Sequence, residues 1–209
     1  MKIGIIGATG KSGMAILNES VSRGLDVTAI VRNKEKLSDK TVNFIEKDLF
    51  SLTTEDLSSF DVVVDAFAAW GDNVAQHSTS LTHLTGILKD TTTRLFIVGG
   101  AGSLYVDMDK KIQLMDGAEF PDAYKPLAVA MGKALENLRQ VKDVNWLYIS
   151  PAAMFDAEGQ KTGQYVLAGE KFSTNEKGDS YISYVDYAIA VVDLMSQSEY
   201  NQKRVSVRN

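Results

Sequence analysis

Residues 1–32 read MKIGIIGATGKSGMAILNESVSRGLDVTAIVR, and this stretch decides the fold. An apolar run (Ile3, Ile5, Ile6) ends in the loop Gly7-Ala8-Thr9-Gly10-Lys11-Ser12-Gly13. A helical pattern follows, with Met14, Ala15, Leu17 and Val21 on its apolar face, and closes at Gly24. A second apolar run, Val27–Val31, ends at Arg32. Strand, glycine-rich turn, helix and strand in that order make one βαβ unit of the dinucleotide-binding type. Such a site needs backbone N–H groups at a helix N-terminus, where the dipole favours a pyrophosphate and a Cβ would obstruct its approach. Gly7 suits the turn leaving the strand, Gly10 the close approach, and Gly13 the packing of helix on sheet. The spacing is GxxGxxG rather than the GxGxxG of typical dehydrogenases.

The strand end at Arg32 bears on which dinucleotide. An acidic residue there would grip the ribose 2′-OH of NAD, whereas a basic one accommodates the 2′-phosphate of NADP. Arg32, with Lys11 in the glycine loop, favours NADP and leaves NAD possible.

Composition sets the outer bounds. The 209 residues are 44% hydrophobic and 23% charged, which fits one globular unit with a full core. A net charge of −5 gives no electrostatic footprint for nucleic acid or anionic lipid. The absence of cysteine rules out disulfides, zinc–thiolate sites and thiol catalysis, and is compatible with a reducing cytoplasm. The first apolar run is broken by Gly4 and Gly7 and reads as a strand, not a signal peptide. No stretch approaches the roughly 20 apolar residues that cross a bilayer. Neither a repeat nor a linker divides the chain.

Further strands are expected at Val42–Ile45, Asp61–Asp65, Leu95–Val98 and Asn145–Ile149; the unbroken apolar run Val62–Val64 fits a parallel sheet buried on both faces. Thr53 with Asp56 forms a capping-box pattern for a short helix, and Ser183 with Asp186 repeats it before a helix carrying Val185, Ala188, Ile189, Val192 and Met195. Helices are also expected over Val74–Lys89 and Leu127–Val141. Gln164–Leu167 reads as a strand with Phe172-Ser173 as its partner, and Val205–Val207 as a final strand. His77 and His83, six apart on a helix, point to different faces; they are expected to be exposed and to share no metal. Leu104–Lys125 is long and weakly patterned, and reads as a flap at the ligand end of the sheet. Ser103 is the only hydroxyl side chain in the loop Gly99–Ser103, and reads equally as a cap or as a catalytic group.

Taken together, GATGKSG (7–13), VGGAG (98–102), SPAAMF (150–155), GQKTGQY (159–165) and YISYVDYA (181–188) resemble the NAD(P)-binding atypical short-chain dehydrogenase/reductases. The nearest group is the small NmrA-like proteins, often called NADH-flavin reductases or NAD-dependent epimerases. The resemblance implies a Rossmann-type, doubly wound parallel sheet, with residues 151–209 contributing a substrate-side subregion. It implies that Gly7, Thr9, Gly10, Lys11, Ser12 and Gly13 hold the pyrophosphate and Arg32 the ribose phosphate. Asp48 and Leu49 would border the adenine, and Ala66, Phe67 and Ala68 would lie along the cofactor. Pro151 and Ala152 would shape the nicotinamide pocket, with Ser103 nearby.

One departure from the superfamily matters. Its standard members carry a Tyr four residues before a Lys, the first donating a proton and the second lowering its pKa. Here Lys133 occupies a plausible lysine position, yet Val129 precedes it by four, and none of the eight tyrosines has a lysine four residues on. Tyr124 lies near in sequence. Two readings follow: an NADPH-dependent reductase of flavin or a quinone-like acceptor, stacked by Trp70, Phe155 and Tyr165, or a non-enzymatic NADP-binding redox sensor acting through a protein partner.

Overall fold

The structure, a computed structural model, describes residues 1–209. Ten strands and five helices follow one another from the N-terminal unit outward. That unit is β1 (Lys2–Ile6), α1 (Lys11–Ser22) and β2 (Asp26–Val31). Then come β3 (Asn43–Glu46), α2 (Thr54–Leu57), β4 (Val62–Asp65), α3 (Gln76–Ile87) and β5 (Arg94–Val98). The second half holds α4 (Lys125–Leu138), β6 (Asn145–Ser150), β7 (Met154–Asp156), β8 (Val166–Ala168), β9 (Tyr181–Ser183), α5 (Tyr184–Leu194) and β10 (Lys203–Arg208).

Eight strands form one sheet in the order β3-β2-β1-β4-β5-β6-β10-β8. All its ladders are parallel except β8 with β10. The central strands are apolar on both faces because helices cover both. On one face α1 packs beside α5, with Ile16, Leu17, Ala188 and Val191 over Ile3, Ile5 and Val64. On the other, α3 packs beside α4, with Leu84, Leu88, Leu135 and Leu138 over Val63, Leu95 and Trp146. This is a Rossmann-like α/β fold, and its strand order reverses between β1 and β4. Ligands of open α/β sheets bind in the crevice outside such a switch point.

The short helix α2 is capped by the expected box: the Thr53 backbone N–H donates to Asp56 Oδ2 at 2.9 Å. Ser183 caps α5 by accepting from the Asp186 N–H at 3.1 Å. The Asp186 carboxylate does not turn back on the cap, but accepts from the Thr162 hydroxyl, the Thr162 and Gly163 N–H groups and Asn209 Nδ2. Burial pushes this carboxyl up, yet those hydrogen bonds together outweigh it and hold it below its ordinary range.

Some local expectations change. The partner of β8 is β10, not Phe172-Ser173; the Phe172 N–H bonds to the Tyr105 carbonyl at 2.9 Å instead. A second, two-stranded parallel sheet, β7 with β9, lies outside the main one. Within residues 151–209, β8 and β10 join the main sheet and α5 its helical layer, and only the short strands β7 and β9 stand outside it. No helix is long and apolar enough to cross a membrane.

Candidate functional site: the crevice at the carboxyl edge of the sheet

The glycine loop is built for close approach. Gly7 has φ +75°, in the left-handed region, and a Cβ there would come within 2.8 Å of the Ala66 carbonyl oxygen. A Cβ on Gly13 would lie 2.3 Å from the Gly7 carbonyl oxygen, so only glycine lets α1 start this close to β1. Gly10 is the N-cap of α1, no side chain caps the helix, and its first turn carries no acid. The opening N–H groups of this 12-residue helix are therefore left for an anion, as a dinucleotide pyrophosphate requires. Lys11 and Arg32 stand exposed at this end, and neither takes part in an ion pair among those formed in the structure. The cradle fits a dinucleotide.

Beyond it, the Asp48 carboxylate caps a short 3₁₀ turn by accepting from the Phe50 N–H at 3.0 Å, and the side chain of Leu49 is buried in the core. After β4, Ala66 is buried, Phe67 half-buried and Ala68 exposed. Asp65 shapes this loop: its Oδ1 accepts from the Phe67 N–H at 3.0 Å. The carboxyl has no cationic partner and is 4% exposed. Burial pushes its pKa up to about 7 against the opposing Phe67 bond. It faces a cavity of about 10 Å³, room for about one water, shared with His77, Ser80 and Tyr148.

On the same edge of the sheet, beyond the ends of β4 and β6, lies an open groove of about 1880 Å³. Trp70, Pro151, Ala152 and Phe155 all line it, the first two ends of the sequence expectation meeting here from β4 and β6. The Phe155 ring lies against Tyr184, with centroids 3.8 Å apart and the planes inclined by 35°. Phe120, Tyr124 and Met131 form further wall, from the 104–125 segment and α4.

Five expected site or surface residues sit otherwise than expected. Ser103 is buried, and both its carbonyl and its hydroxyl oxygen accept from Arg204 Nη1, at 2.9 and 2.8 Å. Lys133 is exposed and outside the groove. On α4 the groove face is Tyr124, Ala128 and Met131, and Lys133, two positions beyond Met131, is rotated about 200° from it. The Tyr-x-x-x-Lys register that faces the groove is thus Tyr124 with Ala128: a tyrosine without its lysine. Tyr165 donates to Asp193 Oδ2 at 2.7 Å and packs against the core, away from the groove. Burial first, then that bond, pushes its hydroxyl up to about 12. His77, expected to be exposed, is buried, with Nε2 3.2 Å from the Ala69 carbonyl; burial holds its pKa below the ordinary value. His83 is half-buried, with Nε2 3.1 Å from the Leu52 carbonyl.

The segment 104–125 forms a braced wall. Tyr105 bridges to both Gln113 and Lys171, the Leu114 N–H bonds to the Leu104 carbonyl at 2.8 Å, and two 3₁₀ turns follow. Residues that sequence reasoning missed are Phe120, Tyr181, Tyr184 and the turn Asn175–Asp179. Tyr181 and Tyr184 fall in the YISYVDYA stretch, but only the fold brings it to one groove with Phe120 and the turn.

A parallel sheet with this glycine cradle at its switch point defines a nicotinamide-dinucleotide-binding protein. Residues 7–198 match the NAD(P)H-binding family, and the chain belongs to it. The chain is 49% identical over 208 residues to the uncharacterised protein YwnB of Bacillus subtilis (strain 168), covering 99% of this chain and 98% of that one. In structure it is similar to SP1627, a "putative NADH-flavin reductase" from Streptococcus pneumoniae TIGR4, with TM-score 0.96, 46% identity and 100% and 99% of the two chains covered. It is also similar to a "putative epimerase" from Bacteroides thetaiotaomicron, with TM-score 0.84, 33% identity and 99% and 96% covered. These likenesses agree with the resemblance to the NmrA-like atypical short-chain dehydrogenase/reductases.

Proposed function

We propose that this protein is an NAD(P)H-dependent reductase that passes hydride directly to a planar acceptor of the flavin or quinone type, with NADPH preferred. The observation that carries the reading is the open aromatic-walled groove on the same carboxyl edge of the sheet as the glycine cradle, faced by Tyr124 without a lysine partner. A bound nicotinamide supplies two electrons and one proton as hydride; the second proton of the reduced acceptor comes from solvent. The protein's share is binding, orientation and exclusion of water.

In this reading Gly7, Thr9, Gly10, Lys11, Ser12 and Gly13 hold the pyrophosphate through backbone N–H groups and the helix dipole. Arg32, with Lys11, takes the 2′-phosphate, and Asp48 and the Leu49 backbone border the adenine. Ala66, Phe67 and Ala68 line the dinucleotide, while Pro151 and Ala152 shape the nicotinamide pocket. Trp70 and Phe155 are the stacking walls for the acceptor. Ser103 acts by fixing its loop. Residues 1–209 work as one unit, the β7–β9 segment closing the acceptor side.

The likeness to a protein called a putative NADH-flavin reductase supports the same acceptor class. The test is oxidation of NADPH by a panel of riboflavin, FMN and a naphthoquinone, followed at 340 nm. Turnover with at least one is expected. Tight NADP(H) binding without turnover on any acceptor would leave a non-enzymatic redox sensor.

A further inference from the structure

Resting on the reductase reading, we infer that the acceptor site is selective for uncharged planar acceptors and discriminates against those that carry a phosphate. The groove draws its charged side chains from two segments: Glu119 from the 104–125 wall, and Glu176, Lys177 and Asp179 from the turn before β9. That is three carboxylates against one ammonium, and no arginine lines the groove. None of the four takes part in an ion pair within the chain. The groove therefore carries two uncompensated negative charges.

The turn that bears three of these charges is held in place. Asn175 Oδ1 accepts from the Lys177 and Asp179 N–H groups, both at 2.9 Å. The Asn175 N–H bonds to the Asp179 carbonyl at 2.8 Å, and Gly178 supplies the φ of +88° that the reversal needs. Around these charges the wall is neutral and aromatic: Phe120, Tyr124, Phe155, Tyr181 and Tyr184.

A phosphate would need a cationic fork or an open helix N-terminus. Two helices begin beside the groove, and neither offers one freely. In α5 the Ser183 hydroxyl already takes the Asp186 N–H, and in α4 Pro126 has no N–H in the first turn. Lys125, exposed at the start of α4, lies outside the groove. The crevice is thus polarised along its length. Lys11 and Arg32 draw the anionic dinucleotide to one end, and Glu119, Glu176 and Asp179 repel anions from the other. Dianionic FMN meets repulsion where riboflavin or a neutral quinone meets only aromatic wall.

The test is a fluorescence titration of riboflavin and of FMN into the protein saturated with NADP⁺, at 20 and 500 mM NaCl, beside the NADPH oxidation assay. Riboflavin is expected to bind on the order of tenfold more tightly than FMN at low salt, with the gap shrinking at high salt as the charges are screened. The double variant Glu119→Lys, Glu176→Lys should close the gap while NADP⁺ affinity holds. FMN binding as tightly as riboflavin at 20 mM NaCl overturns the charge selectivity and leaves the reductase reading standing. Failure of riboflavin, FMN and naphthoquinone alike to bind or be reduced overturns the reductase reading itself.

Discussion

The guanidinium of Arg204, on β10, holds both oxygens of Ser103, at the end of the loop that leaves β5. Its other nitrogen pairs with Glu170, which also receives Arg139 at 2.7 Å, and the Glu170 carbonyl accepts from the Tyr105 N–H. One buried cation thereby ties the last strand, the β5 loop and the start of the groove wall together. Ser103→Ala should cost about 1–2 kcal/mol, since it removes one hydrogen bond to a charged donor. Arg204→Met should cost more, about 2–4 kcal/mol, because Glu170 and Ser103 both lose their buried partner. Urea unfolding measures both. If Ser103→Ala instead abolishes turnover at unchanged stability, the serine works on the substrate and not on the loop.

Stability should fall as pH rises toward neutrality on account of Asp65. Its folded pKa of about 7 exceeds the ordinary carboxyl value of 3.8. Between those values the folded chain keeps a proton that the unfolded chain has released. The protein's stability from this group is thus full below pH 3.8 and is lost as pH climbs to 7, by a few kcal/mol in all. Asp65→Asn cannot ionise and still accepts from Phe67. Thermal unfolding of both proteins from pH 5 to 8.5 should show the variant gaining on wild type as pH rises. Parallel curves would mean that Asp65 is solvated in a way this burial does not suggest.

Cofactor preference should turn on Arg32. Exchanging it for Asp removes the cation and places a carboxylate beside the 2′-phosphate. Calorimetric titration should show wild type favouring NADP⁺ over NAD⁺ by at least several-fold, and Arg32→Asp reversing the order. Equal wild-type affinities would end the idea.

Trp70 and Tyr124 separate stacking from acid catalysis. Trp70→Ala should weaken acceptor binding several-fold, in line with roughly 0.5–1.5 kcal/mol for an aromatic pair, and leave NADPH binding intact. Tyr124→Phe should change turnover on flavin by less than about twofold, because hydride transfer to the flavin ring needs no tyrosine acid from the protein. Loss of activity in Tyr124→Phe would show that the tyrosine donates a proton despite having Ala128 in place of lysine.

What could be read in advance was what the chain determines locally. The unit from β1 to β2 is spelled out within 32 residues, because its glycines, helix face and strand ends each act on near neighbours. The Thr53–Asp56 box likewise needs only three residues. Contacts that come from afar leave no such local sign. Tyr165 has the look of a site aromatic, but Asp193, 28 residues on, claims its hydroxyl. His77 looks like a surface residue until the Ala69 backbone folds over it. The superfamily pattern points to Lys133 for the lysine of α4, whereas the helix's rotation, set by Leu135 and Leu138 in the core, turns Ala128 to the groove. The β7–β9 ladder and the turn that charges the groove leave no periodic trace at all.

The pairing of α1 with α5 bears on how the protein is made. The helix that presents the glycine cradle rests on a partner that begins at Tyr184, so on a translating ribosome its apolar flank stays uncovered while the intervening residues are added. At ordinary synthesis rates of about 5–20 residues per second, that wait lasts roughly 10–30 s. Through that interval the nascent chain carries the fingerprint of a dinucleotide protein on a helix with one flank still unpacked.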